Sequence, residues 1–98
     1  MTVDQLKTIV ETGPQVTNSY VDDSFQNYAG GVFKPACGTY TDANHAMTLV
    51  GYGSDDEGVY WLIRNSWGPD WGEEGYIRVR DVAENEGCFI RKNVYQIE

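Results

Sequence analysis

Two residues in this chain have the types and spacing for proton-transfer chemistry. The only histidine, His45, lies in the stretch NHAMTLVGYG, and Asn65 follows in RNSWGPDWGEEGY. An imidazole that is held at one nitrogen by an amide oxygen has a fixed tautomer, and its other nitrogen can take a proton from a thiol or a hydroxyl. An uncharged amide partner suits a cysteine nucleophile better than a serine. Trp67 returns to the same face as Asn65 and can shield this contact from water.

A purely structural interpretation of the same residues is compatible with the catalytic one. A single histidine on a strand is more often a satisfied structural residue than a catalyst. The glycines and tryptophans after Asn65 are typical of a tight aromatic turn, in which glycine allows the backbone to approach the rings. A catalytic asparagine needs such a rigid turn to hold it, so one stretch can serve both purposes.

The two cysteines, Cys37 and Cys88, leave two possibilities open. They are either reduced thiols in the core or a disulfide, which would close a loop of about 50 residues and contribute roughly 4 kcal/mol in the chain-entropy model. Their separation does not suit a zinc pair, and only His45 could add a ligand. We therefore expect no metal site and no cofactor.

The elements around these residues follow from the hydrophobic pattern. The stretch TVDQLKTIVETGP predicts a short helix that Thr2 caps, with Gln5 in the capping-box position and an apolar face made by Leu6, Ile9 and Val10. Residues 15–33 predict a strand followed by a turn or short helix around 24–28. Later segments predict strands at 45–53, 59–65 and 75–82 and a closing edge strand at 93–98.

The predicted hairpin brings His45 and Asn65 together. If residues 54–58 form the turn, paired positions sum to about 110–112, and His45 lies opposite residues 65–67. Side chains opposite each other on one face have Cβ atoms about 5 Å apart, which is within hydrogen-bonding reach for this pair. The sequence thus predicts an α+β fold, a twisted antiparallel sheet or partial barrel with one short N-terminal helix.

Composition limits the classes of partner. The 98 residues are expected to form one domain, 1–98, and the net charge of −8 argues against nucleic acid and anionic membranes as partners. No apolar run approaches the ~20 residues that span a bilayer, and the N-terminus does not have the pattern of a signal peptide.

The combination of NHAMTLVGYG and YWLIRNSWGPDWGEEGYIRV resembles the C-terminal half of the papain-like cysteine proteases, the cathepsin family. The resemblance extends from about Leu6 to Glu98 and includes FQNYAGGVF at Phe25–Phe33. The spacing from Pro14 to Phe25 looks closer to the cathepsin B and C branches than to papain. The resemblance implies the right-hand, β-rich domain of this fold and a cysteine-type peptidase that hydrolyses peptide bonds through a thioester acyl-enzyme.

The resemblance also assigns roles to single residues. It implies that His45 is the catalytic base and acid, that Asn65 orients it, and that Trp67 shields their contact. The residues that match the frame of the turn are Ser66, Gly68, Trp71, Gly72 and Gly75. The approximate matches to the pocket for the second substrate residue are Ala43, Asn44, Ala46 and Asn93. The resemblance further implies a Cys37–Cys88 disulfide, and with it a lysosomal, vacuolar or secreted location.

The chain departs from the family pattern in one respect. Nothing in it resembles the segment that carries the nucleophilic cysteine at a helix N-terminus, or the glutamine that completes the oxyanion hole. Cys37 lies in the loop KPACG, without a helix start to lower its pKa, and its match in the family is structural. We therefore expect the N-terminal domain to be absent and the isolated chain to be inactive. The expected partners are that domain or a heavier chain carrying the cysteine and the glutamine, peptide or protein substrates, and inhibitors of the cystatin type.

Two other interpretations remain open at this point. The first is that the chain is a non-catalytic papain-like module that acts in binding or assembly, although the retained His45, Asn65 and Trp67 argue against this. It is also open to interpretation as an autonomous protein that dimerises through the exposed cleft face.

Overall fold

The computed structural model describes residues 2–19, 21, 23–35 and 45–82, and the backbone of 94–96. These residues form two helices and six strands. The elements, in chain order, are α1 Val3–Val10, β1 Gln15–Ser19, α2 Asp23–Gln26, β2 Val32–Phe33, β3 His45–Asp55, β4 Gly58–Arg64, β5 Tyr76–Arg80 and β6 Val94–Gln96. The α+β class predicted from the sequence is confirmed.

Helix α1 begins as its sequence predicts. The hydroxyl of Thr2 accepts the main-chain N–H of Gln5 at 3.1 Å, and the side chain of Gln5 accepts the main-chain N–H of Thr2 at 2.9 Å. This reciprocal cap satisfies two N–H groups that the first turn of a helix cannot pair internally. Leu6 and Val10 are buried and hold the helix on β3. Packing of this kind is needed because eight residues are too few for a helix that is stable by itself.

The β3–β4 hairpin has the predicted register at the end that carries His45, but its turn is shorter than the predicted 54–58, because β3 extends to Asp55 and β4 begins at Gly58. Thr48 pairs with Arg64 and Leu49 with Ile63, and both pairs sum to 112 as expected. Nearer the turn, Tyr52 pairs with Trp61, and the register shifts by one residue between Leu49 and Gly51. Val50 is therefore an extra residue on β3, a β-bulge.

The sheet differs from the prediction in one pairing. Its strand order is β2-β5-β4-β3-β1-β6, and β2 pairs with β5 in parallel, so the sheet is mixed rather than wholly antiparallel. The two residues of β2, Val32 and Phe33, lie at the end of the segment 15–33, for which one strand was expected. A two-residue strand is too short to show an alternating pattern, which is why this edge was missed. Helix α2 lies where a turn or short helix was expected, and β6 is at the edge, as predicted.

One apolar core supports the end of the sheet where His45 lies. The fully buried side chains include Leu6, Leu49, Trp61, Ile63, Ile77 and Val79. The indole N–H of Trp61 donates to Asp81 at 3.0 Å, so its polar atom is satisfied inside the core. Because alternate residues of a strand share a face, the side chain of His45 continues the buried row of Met47 and Leu49. No helix among the described residues has the length and apolar character needed to cross a membrane.

Candidate active site

The hairpin places His45 and Asn65 in direct contact. Nε2 of His45 lies 2.8 Å from Oδ1 of Asn65, although twenty residues separate the two along the chain. His45 begins β3, and Asn65 directly follows the last residue of β4. Asn65 is only 6% exposed, so their hydrogen bond is formed where water competes little.

The neighbouring main chain fixes the tautomer of the histidine. The N–H of Ser66 also donates to Oδ1 of Asn65, at 2.7 Å. An N–H group can only donate, so this atom must be the amide oxygen and not the nitrogen. Nε2 of His45 must then carry the proton in the neutral ring. Nδ1 keeps its lone pair, and it makes no hydrogen bond within the part of the chain that the structure describes.

The amide orientation leaves one buried atom unpaired. Nδ2 of Asn65 is the only buried side-chain nitrogen or oxygen of the described residues that has no hydrogen-bond partner. An unpaired buried donor costs about 1–3 kcal/mol. Flipping the amide would not remove this cost, because Nδ2 would then face the N–H of Ser66. The site therefore keeps the orientation that serves His45.

Trp67 covers the imidazole. The two ring centroids lie 5.0 Å apart with an angle of 33° between the rings, as the sequence interpretation expected for a shielding indole. Trp67 is itself held by Phe25 and Trp71, whose ring centroids lie 5.9 and 5.2 Å away, both in edge-to-face geometry. Phe25 comes from α2, so this short helix supports the cover over the candidate site. The contact of Phe25 with Trp67 was not predicted from the sequence, in which the apolar character of Phe25 within a polar segment was the one available signal.

Backbone hydrogen bonds hold the turn that follows Asn65. The N–H of Asn65 donates to the carbonyl oxygen of Gly75 at 3.0 Å, and the N–H of Gly75 donates to that of Trp71 at 2.8 Å. Gly72 adopts φ +60°, and a Cβ built there would lie 2.6 Å from the carbonyl oxygen of Tyr76 and 3.0 Å from the ring of Tyr28. Only glycine fits this position. Ser66 and Gly68, the other frame residues, lie between Asn65 and this glycine and are exposed.

Two carboxylates make similar ion pairs with arginines of β5, Arg78 at its middle and Arg80 at its end. Glu73 accepts from Nε and one terminal nitrogen of Arg78 at 2.7 and 2.9 Å, and Asp55 accepts from both terminal nitrogens of Arg80 at 2.8 Å. In each pair, hydrogen bonds from the guanidinium lower the pKa of the carboxylate to about 2. The first pair adjoins the turn after Asn65, and the second closes the β3–β4 hairpin.

The structure describes one of the four candidate substrate-binding residues. Ala46 is exposed and lines a groove of about 380 Å³ together with Val16, Thr48 and Arg64. Ala43, Asn44 and Asn93 lie outside the described residues, and so do Cys37 and Cys88 of the expected disulfide. Among the described residues, no group of three or more His, Cys, Asp and Glu side chains could hold a metal ion.

The comparison with known families decides what kind of protein carries this pair. The sequence model of the papain family cysteine proteases matches residues 2–97. The chain belongs to the papain family of cysteine proteases. Cathepsin B-like CP3 of Giardia intestinalis is 47% identical over 90 residues, which are 91% of this chain and 29% of that relative. Papaya proteinase 4 of Carica papaya is 57% identical over 73 residues, or 72% of this chain and 20% of that relative.

Solved structures of the family share the fold. The bromelain protease of Ananas comosus, in complex with the E64 inhibitor, superimposes with a TM-score of 0.82 and 39% identity, over 97% of this chain and 46% of that one. The chain thus spans under a third of the length of these curated relatives and under half of the bromelain chain. The predicted family and fold are confirmed.

Proposed function

We propose that the chain is the histidine- and asparagine-bearing domain of a papain-like cysteine peptidase. The observation that carries this proposal is the His45–Asn65 hydrogen bond under Trp67, in a member of the papain family. The thiol and the glutamine of the oxyanion hole would come from an N-terminal domain or a second chain, with peptides or proteins as substrates. Inhibitors of the cystatin type are further expected partners.

The geometry of the pair gives each atom a task. Because Nε2 of His45 already donates to Asn65, the lone pair of Nδ1 is the one that can take the proton of the partner's thiol. The thiolate attacks the peptide carbonyl, and the imidazolium returns the proton to the leaving amine. Nδ1 then takes a proton from water, and the resulting hydroxide hydrolyses the thioester and frees the thiol. Throughout, Asn65 holds the ring and Trp67 keeps water from the hydrogen bond.

The isolated chain is expected to be inactive. Its 98 residues contain no segment that resembles the nucleophile-bearing helix, and Cys37 is a structural match. A fluorogenic dipeptide assay of the chain, before and after alkylation of its thiols, tests this expectation. We expect no turnover in either sample, and turnover that alkylation abolishes would contradict the proposal.

A chimera tests the catalytic assignment directly. The segment of fruit bromelain that corresponds to this chain, which is 52% identical over 71 residues, is replaced by the 98 residues. We expect peptidase activity that the E64 inhibitor blocks. His45→Ala should lower kcat/KM about 10²- to 10⁴-fold, the usual contribution of a general acid–base group. Asn65→Ala should lower it less, because the amide only orients the ring.

A matched control separates catalysis from folding in the chimera. Asp55→Asn removes an ion pair at the far end of β4 and β5, where no candidate site residue lies. It should leave kcat/KM within about twofold of the parent, as expected for a surface substitution. A His45→Ala chimera that folds and is as active as Asp55→Asn would overturn the proposed function.

The location of the protein is a proposal of the same kind. We infer a lysosomal, vacuolar or secreted setting, which the predicted Cys37–Cys88 disulfide would suit. With carboxylate pKa values of about 2, the Glu73–Arg78 and Asp55–Arg80 pairs stay charged in an acidic compartment. Intact mass with and without reductant, after alkylation, tests the disulfide: two free thiols in the native protein would contradict it.

A further inference from the structure

The carboxylate of Glu73 joins two separate segments of the chain. Besides its two hydrogen bonds from Arg78, it accepts the main-chain N–H of Gly31 at 3.3 Å. Gly31 precedes β2, and its carbonyl oxygen accepts from the hydroxyl of Tyr28. One side chain thus ties the turn after Asn65 to β5 and to the segment between α2 and β2.

The main chain of Glu73 continues this connection toward Asn65. Its N–H donates to the carbonyl oxygen of Tyr76 at 2.9 Å, and its own carbonyl accepts from Tyr76 at 3.1 Å. This closed pair sets the position of the intervening Gly75, whose carbonyl oxygen holds the N–H of Asn65 at 3.0 Å. Displacing the side chain of Glu73 would therefore displace the carbonyl oxygen of Gly75, which accepts the N–H of Asn65.

We propose that Glu73 is a positioning residue for the His45–Asn65 pair. Its carboxylate fixes the turn through Arg78 and Gly31, and the turn fixes the amide oxygen that holds the imidazole. The catalytic consequence rests on the proposed function, whereas the structural coupling can be measured on the chain itself.

A second ion pair in the same sheet provides the comparison. Asp55 and Glu73 both accept two hydrogen bonds from an arginine of β5, and their side chains are exposed to a similar degree, 41% and 35%. Asp55, however, closes the hairpin through Arg80, which also donates to the carbonyl oxygen of Gly58. Within the described part of the chain, no hydrogen bond joins Asp55 to the turn after Asn65. A generic loss of an ion pair should have the same effect at both sites, and loss of positioning should appear only at Glu73.

The single histidine makes the measurement unambiguous. In a chain labelled with ¹⁵N in the histidine ring, one N–H signal reports the bond from Nε2 of His45 to Asn65, and saturation transfer gives its exchange rate with water. We expect Glu73→Gln to raise this rate at least about fivefold over the parent, because local opening of the turn becomes easier. Asp55→Asn should leave the rate within about twofold, although it removes an equivalent pair.

The two variants are compared at equal distance below their melting temperatures. Equal exchange rates in Glu73→Gln and Asp55→Asn would overturn the proposal. If Glu73→Gln does not fold, Arg78→Lys takes its place, since it keeps the charge and removes the planar fork; an unchanged rate there would overturn the proposal as well. In the bromelain chimera, Glu73→Gln should lower kcat with little change in KM. An inactive parent chimera would count against the proposed function alone, because the exchange rates do not depend on peptidase activity.

Discussion

Replacing Trp67 with alanine should both destabilise the chain and open the His45–Asn65 hydrogen bond. Trp67 is 41% exposed, so roughly three fifths of its surface is covered, which is about 120–150 Å² for a tryptophan. At about 25 cal/mol per Å², this area corresponds to roughly 3 kcal/mol. The edge-to-face contacts with Phe25 and Trp71 add about 0.5–1 kcal/mol beyond the area. We expect a loss of about 3–4 kcal/mol, a large share of the stability of a domain this size.

Urea unfolding followed by far-ultraviolet circular dichroism measures the loss without relying on tryptophan fluorescence. The matched control is Tyr52→Ala, which removes the other large exposed hydrophobic side chain of the described residues, 36% exposed, from a surface away from the candidate site. The same area arithmetic gives this control a comparable loss of roughly 3 kcal/mol, so the two variants are told apart by the exchange of the His45 ring proton and not by stability. Trp67→Phe should lose less than Trp67→Ala, because it keeps an aromatic ring against Phe25 and Trp71.

Two results would refute this reasoning. A loss below about 1 kcal/mol for Trp67→Ala would show that the indole is not held by the aromatic cluster. An unchanged exchange rate of the Nε2–H proton of His45 would show that the indole does not shield the hydrogen bond. With Tyr52→Ala, that exchange rate should stay at the parent value.

Three further outcomes can be measured on the same chain. Gly72→Ala should lower the free energy of unfolding by about 2–4 kcal/mol, because a Cβ there would overlap a carbonyl oxygen and a tyrosine ring on a left-handed backbone. Gly31→Ala, also at positive φ but with open space around it, should lower it by only about 1–2 kcal/mol. Equal losses in urea unfolding would contradict the overlap at Gly72. Glu74 is the one described non-glycine residue at positive φ, 56°. Glu74→Asn should raise the free energy of unfolding by about 0.5 kcal/mol, because asparagine tolerates this conformation better, and the melting temperature should rise by about 2–4 °C. The pKa values of Glu73 and Asp55 are lowered from 4.5 and 3.8 to about 2, so their stabilising effect is complete above about pH 5 and is lost as the pH falls toward 2. Urea midpoints should therefore be flat from pH 7 to 5 and fall below that, and the double variant Glu73→Gln, Asp55→Asn should fall less; a parallel fall would contradict the assignment.

Local signals accounted for the elements that the sequence predicted well. The capping box of Thr2 and Gln5 acts within one turn of helix, and a short connection sets the β3–β4 hairpin. Both elements can therefore be predicted from residues that are close together in the sequence. The contact between His45 and Asn65 follows from that register. The same pattern could not show the parallel pairing of Phe33 with Val79, because it depends on contacts between distant segments.

The support of the candidate site was harder to predict for the same reason. Phe25 and Glu73 lie in stretches whose patterns indicate a short helix and a turn, and nothing local shows that one meets Trp67 and the other Gly31. Both contacts form only when residues 23–33 pack against the turn after β4. A carboxylate five residues before an arginine on a strand is a weak sign of such a tie.

The bulge at Val50 decides which side of the sheet His45 occupies. Counted back from the turn without interruption, the pairing of Asp55 with Gly58 would place Val50, not Leu49, opposite Ile63. The faces of all earlier residues of β3 would then be exchanged, and the imidazole would point away from Asn65. The contact between His45 and Asn65 therefore requires that the pairing shift by one residue at Val50, because this shift restores the face on which the imidazole meets the amide. Deleting Val50 should leave a regular hairpin with the same contact, whereas an insertion anywhere between the bulge and His45 should abolish it.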